Sequence, residues 1–194
     1  MPRVCRGLAD GFYYHIINRG NDRQVVFHKD QDYRSFVKLL LDSLQRYPVR
    51  LHAYCLMANH FHLLVSPERA EDLSKWMQWL MTSHVRRYHK HFGTSGHVWQ
   101  GRFKSFIVQE DSHLVTVVRY IEGNPVRSGL VSSAAGWTWS SHNDRINELR
   151  SHLSQLPIAL PGGWTKYVDE PLAATELEKL RKSVNRQAPY GEEE

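Results

Sequence analysis

The chain has 194 residues, 41% of them hydrophobic, and 25 Lys+Arg against 20 Asp+Glu give a net charge of +5 with a pI near 9.3. That length accommodates one ordinary domain with a full core plus an appendage, and the basic balance favours a polyanionic partner, nucleic acid first. No apolar run reaches membrane-spanning length, the start Met1-Pro2-Arg3-Val4-Cys5-Arg6 lacks a signal-peptide core, and two cysteines without a Cys-x-x-Cys pair argue against a disulfide framework or a thiolate zinc site. A reducing cytoplasm is the expected compartment.

After a leader bearing Arg3 and Arg6, Phe12 to Arg19 alternates as a strand, with Tyr13, His15, Ile17 and Arg19 on one face and Phe12, Tyr14, Ile16 and Asn18 on the other. Arg19-Gly20-Asn21-Asp22-Arg23 reads as a turn with a cation at each end. Asp30 is placed to cap a helix over Gln31 to Tyr47, stopped by Pro48, with Tyr33, Phe36, Val37, Leu40 and Leu44 as its core face. Val49 to Met57 and His60 to Val65 then form a hairpin around Ala58-Asn59. A second helix over Ala70 to Phe92 buries Leu73, Trp76, Met77, Leu80, His84 or Val85, and Tyr88, with Gly93 as its C-cap.

In the stretch from Trp99 to Val108, Arg102 and Lys104 share a face with Phe106, while Phe103, Ser105 and Ile107 take the other. Cations interleaved with aromatics on a strand suit a sheet surface for single-stranded nucleic acid, because bases stack on rings while cations neutralise phosphates. The order β-α-β-β-α-β predicts an α+β, ferredoxin-like (RRM-like) four-stranded antiparallel sheet with its first and third strands central. A third helix over Asp111 to Asn124, ended by Pro125, carries an apolar stripe of Leu114, Val117, Val118 and Ile121. Beside it runs a second stripe of His113, Thr116, Tyr120 and Asn124. Arg127 reads as a helix C-terminal cation.

His60 and His62 lie two apart on the predicted third strand, so they project from one face roughly 7 Å apart, close enough for both imidazoles to share a divalent metal. With 12 histidines in the chain, about one His-x-His pair is expected by composition alone. A second pair, His89 and His91, falls on a helix where residues two apart do not share a face.

Five segments resemble, in order, the single-tyrosine HUH transposases, in particular the REP-associated tyrosine transposases. They are Tyr14-His15-Ile16-Ile17-Asn18-Arg19-Gly20-Asn21, Met57-Ala58-Asn59-His60-Phe61-His62-Leu63-Leu64, Trp99-Gln100-Gly101-Arg102-Phe103-Lys104-Ser105, Arg119-Tyr120-Ile121-Glu122-Gly123-Asn124-Pro125-Val126-Arg127 and Trp139-Ser140-Ser141. The resemblance covers residues 1–142 and implies a transposase domain there, followed by a partly helical tail over 143–194. It implies Tyr120 as the nucleophile, His60, His62 and Asn124 as ligands of Mg²⁺ or Mn²⁺, and a 5′-phosphotyrosyl intermediate. The implied substrate is single-stranded DNA with short palindromic hairpins, and the implied assembly a monomer or a homodimer. Arg3, Arg6, Arg19, Arg23, Arg102 and Lys104 are the candidate DNA contacts.

In the tail, Asp144 to Leu156 is expected to hold a short helix, and Thr175-Glu176-Leu177-Glu178 opens another with Leu177, Leu180 and Val184 on one stripe. Glu192-Glu193-Glu194 reads as a frayed end, and the tail is expected to fold back over the basic face. Three other readings compete: a rolling-circle replication initiator or relaxase, a non-catalytic RRM-like module that binds through its sheet face without forming an adduct, and a plain metallohydrolase, which would want a carboxylate base near His60 where the sequence shows none.

Overall fold

The computed structural model describes residues 8–109, 112–147 and 152–186, with side chains to residue 183. Arg3, Arg6, Val184 as a side chain, and the glutamates at the end lie outside the described residues. The first six regular elements are β1 Tyr13–Arg19, α1 Asp30–Leu44, β2 Val49–Met57, β3 His60–Pro67, α2 Ala70–Phe92 and β4 Lys104–Val108. The sheet is antiparallel in the order β2-β3-β1-β4, the expected ferredoxin-like topology with β1 and β3 central.

The face of the sheet bearing Tyr14, Ile16, Phe61, Leu63 and Val65 meets α1 and α2 through Tyr33, Phe36, Leu40, Leu73, Trp76, Met77 and Leu80. Both helices therefore bury the stripes that their spacing marks out, and Trp76 Nε1 donates to Ser43 Oγ at 2.6 Å to tie them together. His84 rather than Val85 is the fully buried choice, accepting from Trp99 Nε1 at 3.2 Å. The N-terminus of α1 differs from expectation. Asp30 is its first residue, and Asp32 receives the backbone N–H groups of His28 and Lys29 at 3.0 and 3.2 Å. A carboxylate one turn inside the helix reaches back to those donors better than one at its edge.

The turn after β1 folds onto the β2–β3 hairpin. Gly20 N–H donates to Asn59 O at 2.7 Å, and Val26 and Phe27 donate to Ala58 O at 2.8 and 3.0 Å. A Cβ at Gly20 would sit 2.3 Å from Gln24 O, so only glycine permits this approach. The hairpin turn that opens the His60 strand is thereby clamped by three backbone hydrogen bonds.

The other face of the sheet is covered as well. Ile17, Leu64 and Phe106 pack against Leu114, Val117, Val118 and Ile121 of α3 Ser112–Glu122. Phe106 is 2% exposed and Phe103, on the opposite face, 8%. The interleaved strand thus offers solvent only its cations, Arg102 and Lys104, and not the rings that base stacking needs. The third helix was expected to run to Asn124. It ends at Glu122, and Pro125 opens a further turn, α4 Asn124–Arg127, instead of stopping the helix. Proline fits there because the N–H it lacks has no helical partner in a first turn.

The tail joins this second layer. It contains α5 Ser141–Ile146, shorter than expected, α6 Trp164–Asp169 and α7 Ala174–Arg186. Leu180 of α7 is fully buried in the same apolar cluster, with Leu156, Ile158, Leu160, Trp164 and Leu172 packed against it. Trp139-Ser140-Ser141 finishes the β2 edge: Trp139 O accepts from Leu56 N at 2.9 Å and Ser141 Oγ accepts from Tyr54 N at 3.0 Å. An otherwise open row of backbone groups is satisfied in this way.

Candidate active site

His62 on β3 and His15 on β1 face α3 from the two central strands. The register pairs Ile17 with His62 and His15 with Leu64, which makes the two histidines diagonal neighbours on one face. Their rings touch through His15 Nε2 and His62 Nδ1 at 2.9 Å. His60, two residues before His62, lies with its ring centroid 5.1 Å away, so the pair converges as the strand period requires. Asn59 Oδ1 is 2.7 Å from His60 Nδ1, while Asn59 Nδ2 donates to Arg23 O at 3.1 Å. An amide oxygen only accepts, so His60 Nδ1 carries the proton and Nε2 keeps its lone pair.

All three imidazoles are neutral near pH 7. Burial lowers His15 to about 3 and His60 to about 4, helped by the charges of Arg127 and Arg19 respectively. His62 is held well below its usual range by burial, by the adjacent His15 and His60, and by Arg127 and Arg19. Burial likewise lowers His52 to about 4 and His84 to about 3. In each case the folded value lies below the unfolded one. The unfolded chain therefore binds more protons, and stability is complete above about pH 6.5 and lost as pH falls through the folded values. Denaturant titrations across pH 8 to 4.5 are expected to show a plateau above pH 7 and a steady decline below about 6.5. A flat profile down to pH 5 would contradict the burial of these rings.

Tyr120 projects from α3 onto the histidines. Its ring centroid is 5.7 Å from that of His62 and 6.0 Å from that of His15, edge-on to both. The ring is partly exposed, so a substrate can approach it. The other ring face is covered by Arg127, whose Cζ is 4.1 Å from the centroid and whose Nη2 donates to Tyr120 O at 2.5 Å.

What fixes Tyr120 lies two residues on. Glu122 is fully buried, and its carboxylate receives Ser141 Oγ at 2.5 Å, Arg145 Nε at 2.8 Å, Trp164 Nε1 at 2.7 Å and His142 Nδ1 at 3.2 Å. Burial alone would raise its pKa; the His142 hydrogen bond, the Arg145 charge and the bonds from Ser141 and Trp164 outweigh this and lower it. Donors from α5 and α6 thus anchor the end of α3 that carries the tyrosine.

Asn124 sits at the start of α4, 7% exposed, and its Oδ1 accepts from Ser128 Oγ at 3.3 Å. Among the described residues no hydrogen bond joins it to His60 or His62, and no group of three or more His, Cys, Asp or Glu side chains is arranged to hold a metal ion. Of the candidate cations, Arg19 lies opposite His60 in the register and Lys104 opposite Ile17, both exposed. Arg23 follows in the turn that grips Asn59. Exposed Arg102 immediately precedes β4, so the described cations rim the end of the sheet where His60 emerges. Sequence reasoning missed His15 and Arg127. The Tyr-His opening of β1 and the cation that closes α4 were the available signals, but neither gains meaning until register and the α3–α4 turn are known.

The family model described as "Transposase IS200 like" matches residues 9–124, a span that runs from before β1 to Asn124. A Haemophilus influenzae protein (strain Rd), provisionally named a REP-associated tyrosine transposase, is 26% identical over 158 residues, covering 74% of this chain and 88% of that one. The REP-associated tyrosine transposase of Escherichia coli K12 is 23% identical over 140 residues, covering 71% of this chain and 80% of that one. A solved REP-associated tyrosine transposase bound to a REP hairpin superposes with a TM-score of 0.63 at 18% identity, covering 90% of this chain and all of that one, which shows a common fold. The chain belongs to the IS200-like transposase family.

Proposed function

We propose that this transposase cleaves and rejoins single-stranded DNA at short palindromic hairpins through a 5′-phosphotyrosyl intermediate on Tyr120. The observation that carries the reading is the Tyr120 ring, partly exposed and in contact with His62. A hairpin substrate is supported by the REP hairpin held by the solved relative of the same fold and by the exposed cations Arg19, Arg23, Arg102 and Lys104 beside the site. No described helix is long and apolar enough to cross a membrane, in keeping with a protein acting on DNA in the cytoplasm. An RRM-like binding module is disfavoured because α3 occupies the face it would use and Phe106 is buried.

His60 and His62 suit a divalent metal. Both are neutral, both have Nδ1 engaged, and neither Nε2 has a hydrogen bond among the described residues. A ligand histidine commonly has its other nitrogen held by such a partner. Mg²⁺ or Mn²⁺ bound there would polarise the scissile phosphate and offset its charge. Asn124 would complete the set through its amide oxygen, which has a second lone pair beyond the one that accepts from Ser128 Oγ.

The chain's own residues supply the rest. A phenol ionises near pH 10 and is a weak nucleophile at neutral pH, so Tyr120 must be held close to the phosphate. The Glu122 network and the packed face of α3 do this. Tyr120 Oη attacks phosphorus, losing its proton to solvent, and the bond to the 3′ oxygen breaks, that oxygen taking a proton from solvent to become a free 3′-hydroxyl. A second strand's 3′-hydroxyl can reverse the step, because the ester retains the bond energy.

The test incubates the protein with a hairpin-bearing single-stranded oligonucleotide and Mn²⁺, then denatures the mixture. A protein–DNA band that survives denaturation, and is lost when EDTA is present from the start, is expected. Efficient cleavage with no covalent species would reject the tyrosine chemistry.

A further inference from the structure

Arg127 is a guanidinium in an unusual setting. It is partly buried at the end of α4, a four-residue turn, and among the described residues no carboxylate pairs with it. The neighbours that influence it are Tyr120, the Cys55 thiol and the like-charged Arg181. Its own charge acts on His15 and His62. A cation taken partly out of water without a counter-charge is costly. Here the position is kept by construction. Nη2 is anchored on Tyr120 O, Cζ lies over the phenol ring 4.1 Å from its centroid, and a Cβ at Gly123 would come within 3.2 Å of Nη1. Among the described residues one hydrogen bond leaves most of its five donors unused.

We propose that Arg127 is a catalytic residue that binds the phosphodiester attacked by Tyr120, donating from its guanidinium to a non-bridging oxygen. It rests on the reading of Tyr120 as nucleophile and adds a protein cation that acts independently of any metal at the histidines. The planar fork matches two phosphate oxygens. Added negative charge on those oxygens in the transition state strengthens the contact, which is the condition for accelerating the step rather than merely tightening binding. No bond to Arg127 forms or breaks. The guanidinium remains protonated, and the phenol proton leaves to solvent as before. Stacking on the ring also keeps Oη from swinging away, so one side chain positions both reacting partners.

The experiment compares wild type, Arg127→Lys, Arg127→Gln and Arg127→Ala for rate of adduct formation, hairpin affinity and thermal midpoint, with and without added guanidinium chloride at millimolar concentration. We expect Arg127→Gln and Arg127→Ala to form adduct about 10²–10³-fold more slowly, with hairpin Kd changed less than about threefold. Lysine should restore only part of the loss. Guanidinium ion should accelerate Arg127→Ala about tenfold or more while leaving wild type unchanged. Adduct formation by Arg127→Gln within threefold of wild type, or a rate loss that guanidinium does not rescue, would overturn the proposal. If Arg127→Ala does not fold, the lysine and glutamine variants decide between the same two outcomes. Absence of any adduct in wild type would instead strike the tyrosine reading itself, so the two failures are distinguishable.

Discussion

Tyr120→Phe is expected to abolish the covalent protein–DNA band while hairpin affinity stays within about twofold of wild type. The phenylalanine ring keeps its edge contacts with His62 and His15 and its face under Arg127, so what disappears is one oxygen. The cost in stability should be within the ~1 kcal/mol typical of a hydrogen-bonding hydroxyl. The cost in chemistry is complete, because no other atom of the side chain can form a phosphate ester. Electrophoresis under denaturing conditions reports the first property, a gel-shift titration the second and a thermal melt the third. Residual adduct in this variant above the detection limit would mean that another side chain does the attacking.

Glu122→Ala is expected to lower the unfolding free energy by about 3–5 kcal/mol, the usual loss when one partner of a buried ion pair is removed and the other stays. Four donors converge on this carboxylate, and Arg145 and His142 would remain enclosed without their acceptor. Urea denaturation measures the loss. A change below 1 kcal/mol would show that water replaces the carboxylate freely and that the network does not hold α3. The same group shapes acid behaviour. Its folded pKa is depressed, so its contribution is present above the ordinary carboxylate range and vanishes as pH falls through the folded value. That decline begins at lower pH than the one set by the histidines, and the two add in the same direction.

The sheet order and both main helices were legible because their stripes are regular and their boundaries carry ordinary signals. The alternation of Phe61, Leu63 and Val65 against His60, His62 and Leu64 placed one set in the helix-covered core and the other on the opposite face, where the structure has them. Register was not legible. Whether His15 lies across from His62 depends on a pairing offset that no local pattern specifies, and a diagonal contact follows only from Ile17 pairing with His62.

The cover over the second face was also misread from local pattern. Phe106 alternates with Arg102 and Lys104 as an exposed ring would, yet burial is decided by α3, several residues later in the chain. The tail was expected as a flap over a basic surface. It supplies Trp164 to the buried Glu122, and the carbonyls of Glu170 and Pro171 accept from Arg119 Nη2 at 3.0 and 3.3 Å. Removing it would therefore disturb the support of Tyr120. Helix boundaries failed where proline was taken as a stop, because Pro125 serves equally well in a first turn.

The central claim is that the phenol held against His62 is the group that becomes bonded to DNA. Mass spectrometry of the trapped adduct, after nuclease trimming and trypsin digestion, tests it most directly. The peptide from Tyr120 to Arg127 contains a single tyrosine, and the account predicts that this peptide carries the mass of a 5′-linked nucleotide. Finding that mass on a peptide bearing any other tyrosine, with Tyr120 unmodified, would contradict it.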